Sequence, residues 1–218
     1  MTIDWWKFLP ALLLLLVPGD LFNGGEKVRY RDVTREWHGY WLRLLTHGMH
    51  TIDLGRAALG TWLLLDSLHG APEARGLLRY APLVTQGSIR ILAVLVQTLV
   101  CREKDAINAP FTFVVGLLFA GISPVVALFA VALAVPIAAG MRAPAAFFPV
   151  VAIAHIGIGF WFRGRALGGG ASFAVLPSLA LAAIAAMVPF LWSLMFRRDL
   201  VVAYRAKPRS AETNSPLR

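Results

Sequence analysis

From residue 5 to residue 196 apolar positions run in long stretches broken by short basic loops, clearest at 10–17, 44–65, 83–100, 111–140, 145–162 and 171–196. Several of these approach or exceed the ~20 residues a helix needs to cross a ~30 Å hydrocarbon layer. Lipid offers no hydrogen bonds, so each segment must satisfy its own backbone, which only a helix does within one stretch. The pattern therefore predicts an all-α fold: a polytopic integral membrane helical bundle.

The stretch 111–140 decides the number of spans. Its 30 residues are too many for one upright helix and few for two. Gly121-Ile122-Ser123-Pro124 is a turn signal in its middle, predicting a short broken helical hairpin at 110–140. Seven transmembrane helices follow, near 8–22, 44–65, 82–101, 110–122, 125–140, 145–162 and 172–196. Residues 1–205 form one transmembrane domain, and 206–218, rich in Lys, Pro, Ser, Glu and Asn, read as a disordered polar tail in the cytoplasm.

Charge changes the picture by giving it an orientation. The chain carries +9, with only 15% charged residues against 58% hydrophobic ones, where an ordinary soluble domain has about a quarter charged. In a soluble protein that charge would point to nucleic acid; here the basic residues flank apolar spans, so they report topology and no nucleic acid is expected. With seven spans, fourteen Lys and Arg fall on the side of the C-terminus and five on the other; a single crossing at 111–140 would give ten against nine. The bias places the C-terminus in the cytoplasm and the N-terminus outside a cell membrane. Trp5, Trp6, Trp62 and Trp161 then lie near the outer face, and Trp37, Trp41 and Trp192 near the inner one. After Val17 there is no small-x-small cleavage pattern, so the first helix is expected to be retained.

Small residues recur every four positions at Ala130, Ala134 and Ala138 and at Ser178, Ala182 and Ala186. Such faces let helices approach closely, and they also suit contact with other membrane subunits. Pro136 and Pro189 are expected to kink their helices.

Ionisable groups inside the spans are the natural candidates for chemistry. The second span carries His47, His50, Asp53 and Arg56; the third carries Arg90 and Gln97; the sixth carries His155. At ~1.5 Å per residue Asp53, Arg56, Arg90 and His155 share a layer near mid-bilayer, with His47, His50 and Gln97 below. Asp53 and Arg56 can pair at i, i+3 and act as packing glue. Alternatively, two arginines facing one aspartate suit an anion or phosphate, or Asp53 and His155 relay protons. Haem would need His47 or His50 with His155, whose depths differ by ~6–10 Å. His47-x-x-His50-x-x-Asp53 departs from the zinc pattern of two histidines around a glutamate. His38 and His69 lie in loops, and Cys101 stands alone, so no thiolate cluster or internal disulfide forms.

Enzyme signatures are missing: there is no nucleophile elbow and no Gly-rich phosphate loop. Asp53-Leu54-Gly55-Arg56 with Leu65-Asp66 resembles only a fragment of the aspartate-rich signature of CDP-alcohol phosphotransferases. The Asp-Gly is interrupted and two aspartates are absent, against a two-metal site. The expectation is a non-catalytic membrane protein with no required cofactor, in first place a subunit of a larger assembly and in second a small transporter. The alternative is a membrane-embedded enzyme acting on a phosphate-bearing lipid, with Arg56 and Arg90 on the phosphate and Asp53 or His155 as base.

Overall fold

The structure is a computed structural model that describes residues 1–19, 27–29, 48–70, 76–100, 106–121, 123–141, 143–166 and 172–203. Among these it is mostly helical, with seven α-helices: α1 Trp5–Leu16, α2 Gly48–Ser67, α3 Ala81–Leu99, α4 Phe111–Gly121, α5 Pro124–Gly140, α6 Phe147–Ala166 and α7 Ser172–Phe196. Each predicted segment overlaps one of them. Two stretches, Leu78–Leu99 and Val175–Phe196, are long and apolar enough to cross a membrane. Four more helices are apolar but shorter, and α2 is diluted by His50, Asp53, Arg56 and Asp66.

Proline sets two of the boundaries. The first helix was expected to run to residue 22 but stops at Leu16, with Val17 extended at φ −65°, ψ 124°. A residue before proline is pushed out of the helical region, and Pro18 is next. Ser123 is likewise extended before Pro124, which opens α5 at the position where its missing N–H costs nothing. At the end of α7, Arg197 takes φ 51° and the Arg198 amide reaches back to Ser193 O at 3.2 Å, a left-handed cap that turns the chain outward.

Neighbouring helices alternate in direction. Strands β1 (Thr2–Ile3) and β3 (Leu68–His69) pair antiparallel, tying the start of α1 to the end of α2. Phe111 stacks on Phe148 with centroids 4.9 Å apart, which brings the starts of α4 and α6 together. Phe129 meets Phe162 at 5.9 Å, so α5 returns alongside α6. The hairpin expected at 110–140 is therefore present as α4 and α5.

The loops hold a second sheet that the hydropathy pattern did not anticipate. Strand β5 (Asp199–Ala203) lies in the centre, antiparallel to β2 (Lys27–Arg29) and parallel to β4 (Ala106–Asn108), with Ile107 opposite Leu200. Both of those residues are buried.

Helix α4 is the inner helix, buried at Phe111, Thr112, Phe113, Val114, Gly116, Leu117 and Leu118. It packs chiefly on α2, and Gly116 permits this: a β-carbon there would strike the Leu54 carbonyl oxygen and come within 2.9 Å of Ala57 Cβ. The alanines Ala130, Ala134 and Ala138 are fully buried, and Ala182 and Ala186 nearly so. The small-residue faces are thus used within the chain, mainly between α5, α6 and α7. What faces outward is large and apolar: Leu9 and Leu13 on α1, Leu128, Phe129 and Leu133 on α5, Ile153 on α6, Ile184 and Leu191 on α7. Trp5, Trp6, Trp62 and Trp161 are all exposed.

Candidate functional site

Two polar centres sit within the bundle, each where a short helix ends beside the middle of a longer one. The first forms around Arg56, the ninth of the 20 residues of α2. Pro18 has no N–H to give the Leu14 carbonyl one turn back, so the end of α1 leaves acceptors unpaired. Arg56 supplies the donors. Its Nη1 donates to Leu14 O at 3.1 Å and to Val17 O, its Nε to Asp53 Oδ1 at 2.7 Å, and its Nη2 to Gln97 Oε1 at 2.9 Å. A cation at a helix C-terminus also opposes the negative end of the helix dipole.

Gln97 on α3 completes the closure. Its Nε2 donates to Val17 O at 3.0 Å and to Leu15 O at 3.3 Å, while its Oε1 accepts the Gly19 amide at 3.0 Å. Asn108 of β4 donates to the Gln97 carbonyl at 3.0 Å, and the Arg56 guanidinium lies 5.0 Å from the centre of the Phe113 ring. Gly19 fits against this cluster because a β-carbon would lie 2.7 Å from Asp53 Oδ1. Every donor group of Arg56 is engaged, so this centre is a built junction of α1, α2 and α3.

The second centre forms around Arg90, the tenth of the 19 residues of α3. Only 2% of it is exposed, and its one side-chain hydrogen bond among the described residues runs from Nε to Gln86 O of its own helix, at 3.3 Å. No carboxylate of the described residues lies within ion-pair distance. Helix α4 ends here: a β-carbon on Gly121 would sit 3.3 Å from Arg90 Nη1. Helix α5 starts three residues later with no side-chain cap from Ser123. His155 of α6 is completely buried, and both its ring nitrogens lack a partner among the described residues.

No protein family model, curated protein or solved structure matches this chain.

The expected single layer therefore divides. Asp53 and Arg56 do pair at i, i+3, but Gln97 stands level with Arg56 rather than below it. Asp53 faces Arg56 alone of the two arginines, so the arrangement of two arginines on one aspartate is not formed. Arg90 and His155 take no part in that ion pair. His50 is buried in α2, and His47 and His38 lie outside the described residues. His69 pairs with Thr2 across the small sheet. No group of three or more His, Cys, Asp or Glu among the described residues could hold a metal ion. The carbonyls of Leu14, Leu15 and Val17, the amide of Gly19 and the side chain of Asn108 were not foreseen. The signal for them was Pro18, which strips a donor from the end of an apolar helix.

Proposed function

We propose that this chain is a non-catalytic, multi-pass membrane protein of the small-transporter kind, with its binding region where α4 gives way to α5. The observation that carries this is the pair of half-length helices. At ~1.5 Å per residue, α1 and α4 extend about 18 and 16 Å, roughly half a bilayer. Each ends against the midpoint of a longer helix, beside an arginine. Interrupted helices that place backbone ends and charged groups near the midplane are the usual construction of transport sites.

The membrane setting is supported by an exterior of large apolar side chains around an interior that holds Arg56, Arg90 and His155. Orientation is supported by the sheets. The strands at 27–29, 106–108 and 199–203 come from three segments that the charge bias assigns to the cytoplasm, and the pair at 2–3 and 68–69 comes from two assigned outside. The small-residue faces, which also suit contact with other subunits, are engaged within the chain.

Reconstitution of the full chain in liposomes tests the function, with solute-induced currents recorded on a supported membrane across a panel of anions, cations and neutral solutes. A saturable current absent from empty liposomes is expected. Currents with no solute, together with co-purification of a second subunit at fixed stoichiometry, would replace the transporter with the assembly role. Cys101, labelled only from inside, and Thr2→Cys, labelled only from outside, give the expected topology.

A further inference from the structure

We infer that Arg90, Thr61 and the open end of α4 form a binding site for a small oxyanion that carries its own hydroxyl, of the dihydrogen phosphate or bicarbonate kind. The inference rests on the reading that the junction of α4 and α5 is the binding region, and it names the ligand class of that region.

Contacts between three helices bring these groups to one level. Between α2 and α3, Arg56 bonds Gln97 at 2.9 Å and Gln86 bonds Leu65 O at 3.3 Å, so the two helices run antiparallel. Arg90 lies two turns from Gln97 and one from Gln86, which sets it opposite Thr61 and Trp62. Between α2 and α4, Arg56 lies over Phe113, and a β-carbon on Gly116 would come within 2.9 Å of Ala57 Cβ, so these two run parallel. Thr61 is one turn beyond Ala57 on the same face, as Ala120 is beyond Gly116, and it therefore faces the last turn of α4. Arg90 reaches that turn from α3, with Nη1 3.3 Å from where a β-carbon on Gly121 would sit.

All three groups have unused hydrogen-bonding capacity. Arg90 is 2% exposed, and among the described residues only its Nε makes a bond, so both Nη groups are unengaged. Thr61 is fully buried and its hydroxyl has no partner. Thr98 of α3, by contrast, gives its hydroxyl to the carbonyl one turn back, Val94 O, at 2.7 Å. The final carbonyls of a helix have no partner within it, and among the described residues nothing donates to those of Phe119, Ala120 and Gly121. At the end of α1 the same need is met by Arg56.

The donors and acceptors define the ligand. Guanidinium N–H groups and a hydroxyl give protons to oxygen atoms, and one guanidinium charge balances one negative charge. Carbonyls only accept, so a ligand that joins them must bring a proton of its own. Acetate meets the first requirement alone; dihydrogen phosphate, bicarbonate and a lipid phosphomonoester meet both.

The test uses the full chain in nanodiscs of phosphatidylcholine at mildly acidic pH, where phosphate is chiefly monoanionic, titrated with inorganic phosphate and with acetate by calorimetry. Saturable binding of phosphate is expected, at least about fivefold tighter than acetate, the scale of one neutral hydrogen bond. Arg90→Gln should weaken it by at least ~30-fold, the scale for truncating one partner of a buried charge pair. Thr61→Val should lose about tenfold, the scale of one hydrogen bond to a charged group, and Thr61→Ser should bind as wild type does. Circular dichroism and gel filtration establish that the variants are folded. A second arm uses nanodiscs containing phosphatidic acid or phosphatidylglycerol, followed by native mass spectrometry. Phosphatidic acid retained by the wild type but not by Arg90→Gln, without binding of free phosphate, identifies a headgroup as the source. Binding unchanged in folded Arg90→Gln or Thr61→Val, or no binding in either arm, overturns the site; equal binding of acetate overturns the ligand class. Binding without current in liposomes would retire the transporter and leave the site standing, whereas current without binding would do the reverse.

Discussion

Leucine in place of Arg56 and leucine in place of Arg90 should have opposite effects on stability, although both remove a buried arginine. In Arg56→Leu several groups keep a partner: Val17 O still accepts from Gln97 Nε2 at 3.0 Å, and Gln97 Oε1 still accepts the Gly19 amide at 3.0 Å. Two groups do not. Leu14 O loses the donor that stands in for the missing Pro18 N–H, costing about 1 kcal/mol, and Asp53 is left as a largely buried carboxylate without its cation, costing about 2 kcal/mol. The expected loss is about 3 kcal/mol, at the lower end for breaking one side of a buried ion pair. Arg90→Leu gives up one 3.3 Å bond to Gln86 O, a carbonyl that already accepts its helical amide. It also removes a charge with no carboxylate partner, so stability should be equal to wild type or higher by up to about 2 kcal/mol. Reversible unfolding in mixed sodium dodecyl sulfate and dodecyl maltoside, read by tryptophan fluorescence without added anions, measures both. If Arg90→Leu falls by 3 kcal/mol or more, or Arg56→Leu is neutral, the separation of one structural and one binding arginine is wrong.

Packing gives a second contrast: Gly116→Ala must push α4 off the Leu54 carbonyl and should cost about 1–3 kcal/mol, whereas Gly157→Ala in α6, with nothing within 4 Å of the new carbon, should gain about 0.5–1 kcal/mol. The same unfolding assay measures each. Thr61 Oγ1 is buried without a hydrogen-bond partner, so Thr61→Val should raise stability by about 1 kcal/mol; a loss of that size would mean the hydroxyl has a role. Lys7 Nζ lies 2.7 Å from Asp66 Oδ2, just outside the predicted spans 8–22 and 44–65. That hydrogen bond holds the Asp66 carboxyl below its ordinary 3.8 and the Lys7 ammonium above its ordinary 10.5. The Asp66 contribution is present above the ordinary value and lost as pH falls through the depressed one; the Lys7 contribution is present below 10.5 and lost as pH rises through the elevated one. The melting-temperature difference between wild type and Lys7→Met should therefore stay flat from about pH 5 to 9 and shrink outside that range. A difference that changes across neutrality would assign the effect to another group.

Hydropathy alone located the seven helical segments, and Gly121-Ile122-Ser123-Pro124 located the break between α4 and α5, because continuity of apolar residues and turn chemistry are local properties. The Asp53–Arg56 pair was legible for the same reason: a separation of three fixes both side chains on one helix face. The early end of α1 was written in Pro18, yet an apolar run carried past it masked the signal. The three-stranded sheet was not legible, since segments such as Lys27–Arg29 and Ala106–Asn108 are too short to show alternation. Nor could the sequence tell Arg56 from Arg90. Each is the lone arginine of its helix, and the difference lies in what other helices bring to them: an open helix end and Gln97 to one, the end of α4 at Gly121 to the other.

The central position of β5 has a consequence for how the molecule is made. Its partners at residues 27–29 and 106–108 leave the ribosome well before it, and they have nothing to pair with each other through until residues 199–203 follow. Helices can form one after another, but the end of the bundle where Ile107 and Leu200 are buried closes only when synthesis is nearly complete. The final strand thus works as a latch: a chain cut short after α7 would keep all seven helices and still present an open sheet to the quality-control proteases of the cell.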